Sequence, residues 1–163
     1  MSCQRVLPDV LPAGHAVLES HHLHLEPLPR QVSAARAFVR EHAPELPQTT
    51  AEVLLLLTSE RVTHAVLHAR TAIEVGLTVA DRSVLVTVHD EDLTRPEQRP
   101  YDNREGGWGL GLVTALAAAS DLQLHPGDGK TAWFVLPRHE DVVAEPGTAA
   151  RPGRRERGTA GER

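Results

Sequence analysis

GGWGLGLVTALAAAS, residues 106–120, is the stretch that decides the fold of this 163-residue chain. Four of its first six residues are glycine, and an apolar, alanine-rich run follows them. A glycine-rich turn that opens a helix presents backbone N–H groups at the helix N-terminus and lets an anion approach closely. The stretch therefore predicts an anion-binding turn, although such turns also open helices in ordinary folds and one alone is a weak signal.

Outward from this turn, the hydropathy pattern predicts five strands and three helices. The strands are expected at 20–26, 73–79, 84–88, 121–126 and 131–137, and the helices at 31–42, at 49–69 and after the glycine-rich turn, with a long loop over 91–105. Hairpin-linked strands with interspersed helices predict an α+β fold. This is a two-layer α/β sandwich with a mixed, mostly antiparallel sheet and helices on one face.

The length predicts a single domain, which we expect to cover residues 20–138. Residues 1–19 contain prolines and a glycine without a sustained period, and they predict a flexible N-terminal lead-in. Residues 139–163 are charged and rich in glycine, proline and alanine, and they predict a disordered tail.

The charge balance excludes some classes of partner. A formal charge of −5 and a pI near 6.0 give no basic footprint for direct nucleic-acid binding. Cys3 is the only cysteine, so no disulfide can form within the chain, which fits a reducing cytoplasm. No uncharged apolar run reaches the ~18 residues of a membrane span, so no membrane partner is expected.

Two further stretches carry residues suited to nucleotide chemistry. Glu60, His64 and His68 stand four residues apart on the long predicted helix, so they share one helix face. Asp90 closes the predicted strand SVLVTVHD. A carboxylate on a helix, a carboxylate at a strand end and a glycine-rich turn, in this order, are more specific together than any one of them.

This combination resembles the GHKL ATPase domain of histidine kinases and gyrase, which has the Bergerat or histidine kinase-like ATPase fold. Within that family, the chain looks like the small anti-sigma-factor serine/threonine kinases. The resemblance covers about residues 20–137 and implies that ATP or ADP is bound, with Mg²⁺. It also implies a cytoplasmic homodimer that regulates transcription through a sigma factor or an anti-sigma antagonist protein.

The resemblance assigns roles residue by residue. Glu60 matches the general base that activates water or a partner serine hydroxyl, and Asp90 matches the carboxylate that accepts the adenine amino group. Thr131, before an aromatic pair, matches a threonine that supports the adenine site. The segment that cradles the phosphates matches Gly107, Gly109, Leu110, Gly111 and Leu112.

Two positions depart from the family pattern. His64 stands where the family has an asparagine that binds Mg²⁺, and imidazole nitrogen is a poor substitute for an oxygen ligand. Glu91 and Asp92 stand where glycines normally follow the aspartate. A degenerate protein-binding module without phosphotransfer is therefore the alternative function, and an independent ATP-hydrolysing enzyme is a third.

Several histidines have a second interpretation. His64 is equally consistent with a satisfied histidine on the helix surface, and His68 with a structural one near the helix end. His15, His21, His22 and His24 suggest a metal cluster, but their spacing matches no standard site. Trp108 is consistent with stacking on a ligand or with covering its own loop.

Overall fold

The computed structural model describes residues 10–93 and 108–139, with only the backbone given for 108–110. The elements in chain order are β1 (Val17–Leu25), α1 (Gln31–His42), α2 (Gln48–His68), β2 (Ile73–Ala80), β3 (Ser83–Asp90), α3 (Trp108–Leu116), β4 (Ala119–His125) and β5 (Gly129–Pro137). The strands form one sheet in the order β1-β2-β3-β5-β4. All of its described pairings are antiparallel. The predicted α+β sandwich is confirmed, and the mixed sheet that we expected is antiparallel throughout these strands.

Strand alternation sends one set of side chains from the sheet toward the helices. In β3 this set includes Val84, Val86 and Val88, and the facing residues of β5 are Leu136 and Phe134. The helix layer closes over them through α2, whose buried residues include Leu54, Leu57 and Val62, and through α1. Because the chain has few aromatics, this core is built mainly from valine and leucine.

Two prolines separate the first two helices. α1 ends at His42, and Pro44 follows within two residues, where its fixed φ and missing N–H oppose further helix. Pro47, with φ of −53°, directly precedes α2 and suits a helix start. The predicted bounds of α1 are confirmed, and α2 begins one residue before the earliest predicted start.

The sheet begins earlier in the chain than the sequence pattern predicts. β1 starts at Val17, three residues before the strand start predicted at residue 20. Ala16 and Asp81 tie this segment to the β2–β3 turn: the Ala16 N–H donates to Asp81 Oδ1 at 3.0 Å, and the Asp81 N–H donates to the Ala16 carbonyl at 2.9 Å. The alternation starts weakly here because β1 is an edge strand with one exposed face.

Parts of three predicted regions lie outside the described residues. These are residues 1–9 of the lead-in, residues 94–107 with most of the long loop and Gly107, and residues 140–163 of the tail. Among the helices that are described, none is long and apolar enough to cross a membrane.

Candidate nucleotide site

A buried ion pair closes the end of the sheet where β3 stops and β5 starts. Asp90 and Lys130 are directly opposite each other in the β3–β5 ladder, on the side that faces the helices. The Lys130 Nζ lies 3.1 Å from Asp90 Oδ1, and the two residues are 4% and 3% exposed. Burial raises the pKa of the Asp90 carboxyl above its ordinary value, whereas the hydrogen bond and the charge of Lys130 oppose that rise.

Asp92, two residues after Asp90, completes the cluster. The Lys130 Nζ also donates to the Asp92 carbonyl at 2.9 Å and to Asp92 Oδ2 at 3.2 Å. The Asp92 N–H in turn donates to Asp90 Oδ1 at 3.0 Å. The aspartate that replaces a family glycine is therefore folded back onto the lysine and does not simply add a negative charge to an open pocket.

Gly129 makes this close approach feasible. Its φ is +99°, in the region that favours glycine, and a Cβ there would collide with the Asp90 carbonyl oxygen and lie 2.6 Å from Glu91 Cα. Only a residue without a side chain lets the start of β5 lie against the end of β3. This contact sets Lys130 beside Asp90.

Glu60 and His64 lie on α2, the helix that packs against β3 and β5. Both side chains are half-buried. Within the part of the chain that is described, Glu60 makes no hydrogen bond or ion pair, so its carboxylate is uncommitted. The rings of His64 and His68 lie with centroids 4.4 Å apart, which confirms that these two residues share one helix face.

His64 is held neutral by its surroundings. Burial lowers its pKa to about 4, and repulsion from His68, Arg61 and Lys130 acts in the same direction. The influence of Lys130 on His64 shows that the helix residue and the strand-end cluster belong to one electrostatic environment. The same environment contains the carboxylates of Asp90 and Asp92, which lie against Lys130.

Arg61 is a buried cation near His64 that the sequence pattern did not indicate. Its guanidinium is buried, and its Nε lies without a hydrogen-bond partner among the described residues. Burial lowers the pKa of Arg61, and the negative charge of Asp121 partly offsets that shift. A buried arginine inside a helix pattern resembles a solvated one in sequence, so only its place in the fold distinguishes it.

Thr131 lies on the other face of the sheet. It pairs with His89 and its side chain points away from the helices, where its Oγ1 is 3.0 Å from His89 Nδ1 and 2.9 Å from His125 Nε2. The structure therefore does not bring Thr131 together with Asp90. Lys130, one residue earlier, occupies the helix-facing position.

The signal for Lys130 was present in the sequence. Phe134 and Leu136 are core residues, so the even-numbered positions of β5 face the helices and Lys130 must do so as well. It is also the only lysine in the chain.

The glycine-rich segment leads into α3, which packs against α2. The helix begins at Trp108, Val113 is fully buried in the core, and Leu112 packs against it. Gly111 is exposed with open space around its Cα. Gly107 lies outside the described residues. Gly109 and Leu110 lie in the part of α3 for which only the backbone is described.

The N-terminal histidines are engaged separately. His22 and His24 lie near Glu74, with Nδ1 to carboxylate distances of 3.3 and 3.7 Å, whereas His21 contacts Glu19 and His15 contacts Ser83. Across residues 10–93 and 108–139, no group of three or more metal-binding side chains is arranged around a common point.

The sequence profile of the histidine kinase-like ATPase domain matches residues 25–136. The chain belongs to this family. The match runs from the end of β1 to the end of β5, so the histidine kinase-like ATPase domain comprises the whole sheet apart from most of its first strand. A comparison with curated protein sequences finds no significant match.

Two solved structures are similar to this histidine kinase-like ATPase domain. The RsbU and RsbW domains of Rv1364c from Mycobacterium tuberculosis align with a TM-score of 0.55 and 22% identity, over 72% of this chain and 32% of that one. The histidine kinase domain of the blue-light-activated histidine kinase EL346 from Erythrobacter litoralis aligns with a TM-score of 0.47 and 24% identity, over 67% and 58%. The chain thus spans less than two thirds of either matched chain. At these identities, the first similarity concerns the fold alone.

The family implies a magnesium ion, and the residues present do not fit one. The asparagine position holds His64, a neutral nitrogen donor, whereas Mg²⁺ requires oxygen ligands in octahedral geometry.

Proposed function

We propose that this chain is a nucleotide-binding regulatory protein of the anti-sigma-factor type, which takes ATP or ADP and controls transcription through a protein partner. The observation that carries the proposal is the buried Asp90 carboxylate, which faces the helix layer in the same electrostatic environment as His64 of α2. Membership of the histidine kinase-like ATPase domain family supports the nucleotide part.

Each part of the site has a role in this proposal. Asp90 accepts the amino group of adenine, and the free backbone N–H groups in the first turn of α3 hold the phosphates. Arg61 adds positive charge at the phosphate end. The uncommitted Glu60 carboxylate is suited to act as general base on a partner serine hydroxyl or on water. Thr131 acts only indirectly, by fixing the strand that carries Lys130.

The partner half of the proposal rests on the resemblance to anti-sigma-factor kinases and on the shared fold with a protein that contains an RsbW domain. The partner is proposed to be a sigma factor or an antagonist protein, bound by a cytoplasmic homodimer of this chain. No direct contact with nucleic acid or membrane is proposed.

A second function, a protein-binding module that does not transfer phosphate, is favoured by one observation. The position that the resemblance assigns to a Mg²⁺-binding asparagine holds His64, whose pKa is lowered to about 4 mainly by burial, so a neutral nitrogen stands where an oxygen ligand is needed. Phosphoryl transfer depends on a metal ion to neutralise charge as it develops, so nucleotide would then serve as a structural ligand only.

Calorimetric titration with ATP and ADP tests the nucleotide claim, in Mg²⁺ and in EDTA. Binding at up to millimolar nucleotide is expected, and Asp90→Asn should weaken it whereas the exposed neighbour substitution Glu91→Gln should not. Circular dichroism must show that Asp90→Asn is folded. An absence of binding under all these conditions would remove the nucleotide half of the proposal.

The effect of Mg²⁺ separates the two functions. A phosphotransferase requires tighter binding in Mg²⁺ than in EDTA and a phosphorylated partner that disappears with Glu60→Gln. The binding module requires equal affinity in both buffers and no transfer. Affinity capture from the native lysate, with and without ATP, followed by mass spectrometry, tests whether the captured protein is a sigma factor or its antagonist.

A further inference from the structure

The ammonium of Lys130 is fully engaged by three acceptors. Its Nζ lies 3.1 Å from Asp90 Oδ1, 2.9 Å from the Asp92 carbonyl and 3.2 Å from Asp92 Oδ2. A lysine ammonium has three protons to donate and no acceptor capacity. Lys130 is therefore committed, and it cannot donate to a ligand without giving up one of these bonds.

The acceptor side is engaged as well. Asp90 Oδ1 receives both the Lys130 Nζ and the Asp92 N–H. A base that approaches this oxygen with an N–H donor meets a position already filled by an ammonium. These contacts bring Asp90, Asp92 and Lys130 together in one cluster, and its two central residues, Asp90 and Lys130, are more than nine-tenths buried.

A contribution to stability does not explain why this ion pair is buried. Burying two charges requires large desolvation, and a buried ion pair is often no more stabilising than apolar residues of the same volume. Val88 and Ala132 are the neighbouring pair on the same face of the ladder. They show that this face of β3 and β5 accommodates apolar side chains.

We propose that Lys130 is a built-in occupant of the base subsite, a residue that competes with the amino group of adenine for Asp90 and so sets the nucleotide affinity. The inference rests on the proposed function, because it assigns Asp90 to base recognition. The amino group of adenine must share the Asp90 carboxylate with the ammonium or displace it. Wild-type protein accordingly has weak affinity for adenosine and its phosphates, although the carboxylate is intact.

Removing the ammonium should open the subsite. Lys130→Thr exchanges the cation for a short side chain, whereas the matched control Lys130→Arg keeps the cation and its donors. The titrations are run at pH 8, because loss of the neighbouring cation raises the pKa of Asp90 further and the carboxylate must stay ionised. Adenosine and ATP are both used, since adenosine has no phosphate.

The expected result is a gain in affinity of about tenfold or more for Lys130→Thr, of similar size for adenosine and for ATP, with no gain for Lys130→Arg. Equal or weaker adenosine binding by folded Lys130→Thr would overturn the inference. A loss confined to ATP would also overturn it, because Lys130 would then be a phosphate ligand.

A measurement on the wild-type chain covers the case in which Lys130→Thr does not fold. Lys130 is the only lysine, so acylation of amines followed by peptide mapping reports on it separately from the N-terminus. The inference requires slow acylation in the free protein and a severalfold faster rate at saturating ATP, when the ammonium is displaced. An unchanged or slower rate would overturn it.

The binding measurements distinguish a failure of this inference from a failure of the proposed function. If neither the wild type nor any variant binds nucleotide, both are wrong. If the wild type binds and removal of the ammonium brings no gain, the proposed function stands and the role of Lys130 does not.

Discussion

His64 and His68 lie one helical turn apart on α2, with their ring centroids 4.4 Å from each other. A positive charge on the His68 ring therefore opposes protonation of His64. Burial is the larger effect on His64, and it acts together with His68, with Arg61 from the same helix and with Lys130 from β5 to lower the pKa of His64 to about 4.

This pKa shift predicts how stability depends on pH. Well above pH 6.5 the imidazole of His64 is neutral in both folded and unfolded chains, so its contribution is constant. As the pH falls through 6.5 toward 4, the unfolded chain takes up a proton that the folded chain excludes. The free energy of unfolding then decreases by at most about 3 kcal/mol, and by less because solvent screens the partly exposed ring.

Urea unfolding at a series of pH values measures this effect. The variant His64→Asn has no group to titrate at this position, so its free energy of unfolding should fall less steeply between pH 6.5 and 4 than that of the wild type. Parallel curves for the two proteins would show that His64 is not held neutral in the fold.

A pair of glycine substitutions tests the close approach of β5 to β3. Gly129 and Gly127 both have positive φ, but a Cβ at Gly129 collides with the backbone of Asp90 whereas one at Gly127 meets nothing within 4 Å. Gly127→Ala should cost about 1 to 2 kcal/mol through backbone strain alone. Gly129→Ala should cost at least about 3 kcal/mol, since strain and collision add. Thermal unfolding distinguishes them, and equal losses would contradict the packing described for residue 129.

Adjacent leucines on α2 test which face of the helix forms the core. Leu57 is 0% exposed and Leu56 is 41% exposed. Leu57→Ala should destabilise the domain by about 2 to 5 kcal/mol, because it leaves a cavity between helix and sheet. Leu56→Ala should change the free energy of unfolding by less than about 1 kcal/mol. Chemical denaturation measures both, and a reversed order would mean that α2 is rotated relative to the sheet.

Thr131 is expected to stabilise the sheet without contacting nucleotide. Its hydroxyl joins His89 and His125 on the face opposite Asp90, so Thr131→Val should lower the free energy of unfolding by about 1 to 2 kcal/mol. Thr131→Ser keeps the hydroxyl and should restore most of this loss. ATP affinity should stay within about twofold of wild type in both variants. A large loss of affinity in Thr131→Val alone would place the hydroxyl in the nucleotide site.

The sequence by itself determined the α+β class and the family. Alternation over β2 and β3, the apolar arc of α2 and the glycine-rich turn before α3 are local patterns, and each reports the period of its own element. The same patterns predicted Glu60 and Asp90 as candidate site residues, because a carboxylate on a helix face and one at a strand end can be recognised without knowing what lies opposite.

The tertiary structure decided which residue lies opposite Asp90. The register of β3 against β5, fixed by the contact of Gly129 with the end of β3, sets Lys130 beside Asp90 and turns Thr131 to the other face. A shift of one residue in a strand exchanges its two faces, and cross-strand partners are separated by some forty residues of chain. The low pKa of His64 likewise arises from burial and from a lysine on a distant strand, so no local pattern could have revealed it.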